Sequence, residues 1–416
     1  MHTPRKLITT LALAGLGSLT THVVAQTTKQ EVVAKIDQDQ AIYAKIAHEI
    51  WSFAEVGYHE TQSSNLLQSQ LKEHGFEVKA GVAEIPTAFV ATYGSSHPII
   101  GVLAEFDALP GVSQDAVPER KPIPGQIAGH ACGHHLFGTG SVEAAIAIKE
   151  WMQKTGQKGT LRVYGTPAEE GGSGKVYMVR AGLFNDVDTV LHWHASDRNE
   201  ITSASSLANK SAKFRFHGIA SHAAQAPERG RSAVKAVEAM DFMVNAMREH
   251  VPQTTRIHYV ITHGGEAPNV VPEFAEVYYY VRSPSREIVQ DVFDRVTKAA
   301  QGAAMGTETT VDWEIIHGVY ELLPNDVLST DMQANLETVG GVTYTAEEKA
   351  FAEKIGHTLP GGHPAAPELS EKIIPLNLTP VSGSASTDVG DVSWTVPTVG
   401  LVTATWVPGT PAHSWQ

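Results

Sequence analysis

Between about residue 204 and residue 321 the hydropathy pattern switches between strand-like and helix-like stretches in an order that few folds accommodate. "SAKFRFHG" (211–218) reads as a strand and "GRSAVKAVEAMDFMVNAMREHV" (230–251) as an amphipathic helix. "RIHYVITHGG" (256–265) and "EFAEVYYYVRS" (273–283) are two further strands. "SREIVQDVFDRVTKAAQ" (285–301) is a helix with Ser285 as its N-cap, and "TTVDWEIIHGV" (309–319) closes the run as a strand. The order β-α-β-β-α-β is that of a ferredoxin-like unit. Such a unit buries its own face, so it predicts a separate small domain inserted into a larger one.

The flanks follow a different rhythm. Helices are expected over 28–53, 60–75 and 135–154, and strands over 87–94, 98–111, within 159–170 (ending at Thr166–Pro167) and 188–196. Strands alternating with helices predict an α/β layer with a mixed sheet. A chain of 416 residues exceeds one ordinary compact domain. The expected division is 26–203 and 322–416 for the larger domain, with 204–321 inserted. Hydrophobic residues make up 42% and charged residues 18%, which suits a packed globular chain. The formal charge of −14 argues against nucleic acid as the partner, because a phosphate backbone requires a basic face.

The N-terminus stands apart. Arg5 and Lys6 precede the apolar run "LITTLALAGLGSL" (7–19), and Val23 and Ala25 are spaced as a cleavage site requires. Residues 1–25 are expected to be a secretory signal peptide, and the run is too short for a membrane anchor. The mature chain is then periplasmic or secreted, with no membrane span.

Four places carry candidate chemistry. "GHACGHH" (129–135) holds Cys132, the single cysteine of the chain, and His134 on a glycine-flanked turn before a helix. Thiolate and imidazole both bind zinc-like ions. The same stretch also fits a buried structural thiol, or a nucleophilic cysteine activated by His134. "TPAEEGG" (166–172) places Glu169 and Glu170 at a strand end, where neighbours in extended chain point opposite ways. One carboxylate then binds a metal while the other faces a water; a bare acidic pair is otherwise a solvated loop. "LHWHAS" (191–196) puts His192 and His194 on one face of a strand, and "GTPAHSWQ" (409–416) brings His413 after a turn. Most of these lie at expected strand ends, where α/β enzymes build their sites.

The motifs "AEFDALPG", "GHACGHH", "TPAEEGG", "LHWHAS", "ASHAAQAPERGRSA", "PNVVPE" and "GTPAHSW" occur in one order. In that order the chain resembles the aminoacylase and carboxypeptidase-G-like metallopeptidases, peptidase family M20. It looks most like their amidohydrolase branch and the aminobenzoyl-glutamate hydrolase B-subunit group. The resemblance implies a two-metal catalytic domain and a ferredoxin-like domain that forms a homodimer. It implies hydrolysis of the amide bond of N-acyl amino acids, aminobenzoyl-glutamate-like compounds or dipeptides. Carried over by motif, Cys132, His134, Glu170, His194 and His413 are metal ligands, with His192 a competitor of His194. Glu169 is the general base, and Asp107 sits where the family places an aspartate near the metals. His222 resembles the histidine that reaches across the dimer to the substrate. Asn269 and Arg282 resemble groups that hold the substrate's carboxylate.

Two departures accompany the likeness. His135 stands where many members of the branch carry aspartate. Family members also continue past the point where this chain stops after His413, so a further helical segment behind that residue is expected to be lacking. The reading is therefore a secreted, homodimeric amidohydrolase using two divalent transition-metal ions. Manganese or zinc are the first candidates, cobalt and nickel the others. A Cys132-nucleophile hydrolase and a non-catalytic binding protein on the same fold are the rival readings.

Overall fold

The structure is a computed structural model that describes residues 14–361, 367–379 and 383–416. Residues 1–13 of the expected signal peptide lie outside the described residues. The chain opens with α1 (Ala14–Phe53) and α2 (Thr61–Glu73), then β1 (Glu77–Ala80), β2 (Phe89–Gly94) and β3 (Ile99–Ala104). The short strands β4 (Leu109–Pro110) and β5 (Ala128–Gly129) precede α3 (His134–Thr155). β6 (Thr160–Gly165), α4 (Gly174–Arg180), β7 (Thr189–Ser196) and β8 (Glu200–Ile201) follow. Next come β9 (Ala208–His217), α5 (Ala233–Met247), β10 (Arg256–His263), β11 (Phe274–Ser283), α6 (Arg286–Thr307) and β12 (Thr310–Val319). The chain ends with α7 (Asp326–Val339), α8 (Ala346–Gly356), α9 (Pro367–Ser370), α10 (Val389–Ser393) and β13 (Thr398–Ala404). Among the described residues no helix is long and apolar enough to cross a membrane.

Two sheets dominate. The larger has seven strands in the order β1-β2-β6-β3-β7-β13-β8. Its centre is parallel, β6 to β3 to β7 to β13, and its margins are antiparallel. The apolar run of β3, "IIGVLA", suits this central place, because a strand covered on both faces needs no polar side. The expected strand over 98–111 stops at Ala104. Beyond that point Glu105, Phe106 and Asp107 are buried but leave the ladder. The strand expected to end at Thr166–Pro167 ends at Gly165, as the proline requires. The expected helix over 28–53 is the C-terminal part of α1.

The smaller sheet is antiparallel, in the order β10-β11-β9-β12, which is the ferredoxin-like arrangement of a β-α-β-β-α-β chain. Helices α5 and α6 cover one face. Alternate residues Ala212, Phe214 and Phe216 of β9 and Ala275, Val277, Tyr279 and Val281 of β11 point into that layer. Ser285 caps α6, accepting the Ile288 N–H at 3.3 Å. The two connections between the sheets run side by side. Leu322 N donates to Ser206 Oγ at 2.9 Å, and Ser205 Oγ donates to Leu322 O at 2.6 Å. Chain returning from the smaller sheet rejoins the larger through β13, which pairs with β7.

Glu60 ties α2 to the loop after β6. Its side chain is fully buried and accepts the Ala168 N–H at 2.8 Å and the Thr87 hydroxyl at 3.0 Å. Burial, with repulsion from Asp107 as a smaller cause, pushes its carboxyl from 4.5 up to about 7. Between those values the folded chain holds a proton that the unfolded chain has lost, so stability falls as pH rises through that window. Glu60→Gln keeps one acceptor and removes the titration. Melting curves recorded across the window should decline less steeply for Glu60→Gln than for the wild type.

Candidate metal centre

The donors converge on one end of the larger sheet. Ligand atoms of Cys132, His134 and His194 lie within 4.8 Å of one another, as do those of Cys132, Glu170 and His413 and those of His134, Glu169 and Glu170. Four separate segments supply them. Cys132 and His134 flank Gly133, the residue before α3. Gly133 has φ +84°, and a Cβ there would come within 2.4 Å of the Ala195 Cβ. Only glycine turns the chain there and lets β7 approach. As a result Cys132 Sγ lies 3.4 Å from His194 Nε2.

The two glutamates do not sit on a strand. They lie in a turn after β6, reached through Ala168 at φ +58°. This corrects the expectation of side chains pointing opposite ways along an extended chain. In the turn both carboxylates come to the same imidazole, His134. The turn is braced from outside by Glu60 and by the Tyr58 hydroxyl, which donates to Gly172 O at 2.6 Å. His413 arrives from the far end of the chain. Its backbone N–H donates to Ala131 O at 3.0 Å, and its Nε2 lies 3.1 Å from Glu170 Oε1.

His134 is gripped from both sides. Nδ1 donates to Asp107, 3.0 Å from Oδ1 and 3.1 Å from its carbonyl. Nε2 stands 3.1 Å from Glu105 Oε2, and both of these buried atoms lack a hydrogen bond. Asp107 also accepts the Glu170 N–H through Oδ2 at 2.9 Å, so it sets the glutamate turn as well as the imidazole. His194 donates Nδ1 to its neighbour Ala195 O at 2.7 Å, which leaves Nε2 facing Cys132.

Of the competing pair on β7, His194 stands in the donor group. His192 packs over Gly400, where a Cβ would come within 2.1 Å of its Nε2. Burial pushes the His192 imidazole down to about 4, so it is neutral. His135 packs against His130, with ring centroids 4.9 Å apart and the planes tilted by 51°. Burial holds both of these imidazoles below their usual range.

The charges of the group are interdependent. Burial alone would raise the Cys132 thiol, but the imidazoles of His134, His194 and His413 pull it well below its ordinary value. Burial disfavours a charged His134, but Cys132, Asp107 and Glu105 hold it well above its usual value. Hydrogen bonds to Cys132 and Glu170 raise His413 to about 10. Burial, then repulsion from Glu105 and Asp388, lifts Glu169 well above the carboxylate range. One thiolate, three imidazoles and two carboxylates in this space form a mixed S, N and O set. That set fits zinc-like and manganese-like divalent ions and does not fit calcium.

The sequence-expected residues of the inserted domain lie elsewhere in the chain. His222 is exposed in the loop after β9, and its neighbour Ala223 donates N–H to Asn269 O at 3.0 Å. Arg282, near the end of β11, donates Nη1 to Ser386 Oγ at 3.1 Å. Among the described residues no hydrogen bond or salt bridge joins these three to the donor group.

Sequence reading missed Glu105, Lys175 and Asp388. The Lys175 ammonium is completely buried, 2.6 Å from Glu105 Oε1 and 2.8 Å from Asp388 Oδ1. Glu105 falls inside the motif "AEFDALPG", and Asp388 lies in "STDVGDVSW" (386–394). Lys175 follows a Gly-rich run that reads as exposed loop, and nothing local marks it as a core cation.

Residues 208–308 match a peptidase dimerisation domain, the M20 dimerisation model. The chain is 41% identical over 406 residues to the B-subunit of p-aminobenzoyl-glutamate hydrolase from Escherichia coli K12, covering 92% of this chain and 84% of that one. The fold is shared with an aminobenzoyl-glutamate utilization protein from Klebsiella pneumoniae. That match has TM-score 0.63 and 18% identity, over 88% of this chain and 92% of the other. It is shared also with a dinuclear metal-binding peptidase of the M20 family from Bacillus subtilis, with TM-score 0.54 and 17% identity over 88% and 89% of the two chains. The gathered donors, the inserted ferredoxin-like domain and the extent of these likenesses together show that the chain belongs to the M20 family of peptidases and amidohydrolases, and is a hydrolase.

Proposed function

We propose that this hydrolase is a metal-dependent amidohydrolase that cleaves small carboxylate-bearing amides of the aminobenzoyl-glutamate kind. The observation that carries the reading is the meeting of Cys132, His134, Glu169, Glu170, His194 and His413 from four distant segments. Cys132, His134, Glu170, His194 and His413 would hold two divalent ions, manganese or zinc first. Bound ions of this kind supply Lewis acidity and lower the pKa of water.

The chain's own residues do the rest. Glu169 takes a proton from the attacking water and returns it to the leaving nitrogen; its raised pKa suits both transfers. Arg282 presents a guanidinium beside Tyr280, 5.3 Å from the ring centroid, for a substrate carboxylate; Asn269, in the loop beside His222 at the other end of β11, would join from a second copy. His222 accepts the N–H groups of Ala224 and Gln225 at Nδ1, 3.2 and 3.1 Å away, which leaves Nε2 to carry the hydrogen. An Nε2–H donor is what a developing oxyanion requires. His222 makes no hydrogen bond to the donor group among the described residues, and we read it as serving the site of a second copy in a homodimer built on the inserted domain. The leader-like N-terminus supports a periplasmic or secreted enzyme.

Elemental analysis should find about two equivalents of transition metal per chain, and chelation should abolish turnover of p-aminobenzoyl-glutamate. N-acyl amino acids and dipeptides complete the substrate panel. Glu169→Gln should keep the metal and lose about 10²–10⁴ in kcat, whereas Glu170→Gln should lose metal too. The lowered Cys132 thiol favours one second reading, a cysteine nucleophile. Turnover that survives chelation but not alkylation of Cys132 would select it.

Mixing Glu169→Gln with His222→Ala and letting the protomers exchange tests the shared site. A mixed dimer rebuilds one intact site, so about one quarter of wild-type activity should return, the statistics of a two-fold dimer. No recovery means that His222 does not act across the dimer.

A further inference from the structure

Lys175 is the most unusual charge in the larger domain. Lysine is almost never fully buried unless paired, and this one has no exposed surface. Asp388 holds it twice: Oδ1 accepts from Nζ at 2.8 Å and Oδ2 from the backbone N–H at 2.9 Å. Its second partner, Glu105, spends one oxygen on the ammonium at 2.6 Å and turns the other to His134 Nε2 at 3.1 Å. Glu105 and Asp107 follow β3 two residues apart and meet opposite sides of one ring. The cation is also tied to the glutamate turn, since α4 begins just beyond Glu169 and Glu170.

We propose that Lys175 is a positioning residue for the reaction. Its ammonium clamps Glu105 and Asp388, so that Glu105 sets the ring of His134 and α4 holds the Glu169–Glu170 turn against that ring. The clamp reaches further. Asp388 lies in the segment whose Ser386 receives Arg282 Nη1 and whose Asp391 accepts the Tyr320 N–H at 2.9 Å. One buried cation therefore fixes the donors against the strip of chain that meets the inserted domain. A plain structural ion pair needs neither the orphaned contact with His134 nor both ends of one residue held by the same carboxylate. This inference rests on the hydrolase reading above.

The test compares Lys175→Met and Asp388→Asn with the wild type, each loaded with metal. Lys175→Met should lower kcat about 10–100-fold with KM little changed, the usual loss when a supporting group behind a ligand is removed. Asp388→Asn keeps the Lys175–Glu105 contact and should lower kcat by about 10-fold. In competition with a chelator both variants should release metal more readily than the wild type, Lys175→Met more than Asp388→Asn, because the clamp sets the ring of a ligand. A merely structural role predicts a lower melting temperature with wild-type kcat once the variants are saturated with metal. Wild-type kcat and wild-type metal retention in metal-loaded Asp388→Asn overturn the clamp. If Lys175→Met does not fold, Asp388→Asn decides alone. A wild type that binds no metal and hydrolyses no amide in the panel overturns the hydrolase reading first, and the clamp with it.

Discussion

Glu105, Asp107, Glu169, Glu170 and Asp388 are gathered in one part of the larger domain, and their mutual repulsion has to be offset. Taking one carboxylate out of water is costly, and gathering several without compensation would be prohibitive. The fold answers with Lys175, with the imidazole of His134 between two acids, and with backbone N–H groups directed at Asp107 and Asp388. A divalent pair would add the remaining positive charge. Much of the local architecture follows from this requirement: the tight turn at Gly133, the left-handed Ala168, and the bracing of the glutamate turn by Tyr58 and Glu60.

The inserted domain is a conventional packing problem by comparison. Its core is Val, Ala, Phe and Tyr on one face of a sheet beneath two helices, with alternation read directly from β9 and β11. Its join to the larger domain is polar and specific. Arg286 lies over the rings of Trp394 at 3.6 Å and Tyr320 at 4.6 Å, while Trp394 Nε1 donates to Glu321 O at 2.9 Å. These contacts set where one sheet meets the other through few residues.

Legibility in the sequence followed periodicity and chemistry unequally. The ferredoxin-like order was legible because each element carries its own period and Ser285 its own cap. Cys132, His134, Glu170, His194 and His413 were legible because their side chains are ligand types in recurring motifs. Pro167 marks the end of the strand, but the two glutamates were misread as extended chain because nothing local marks the turn that follows; the left-handed Ala168 leaves no sign in the sequence. Lys175 was missed for a deeper reason. A lysine in a Gly-rich stretch is exposed on every local criterion, and only the arrival of Glu105 from β3 and Asp388 from near the chain's end gives it an interior place. Long-range charge pairing has no period to read.

The donors are spread widely along the chain, from Cys132 to His413, with a whole domain between His194 and His413. A ribosome therefore releases the thiol long before its last imidazole partner exists. During that interval β7 lacks its neighbour β13, and Cys132 lacks the group that draws it into the cluster from the far side. The nascent chain must consequently carry a half-made, electron-rich pocket until its final strand slots in. Chain order thus leaves the donor group incomplete until the last segment has been made.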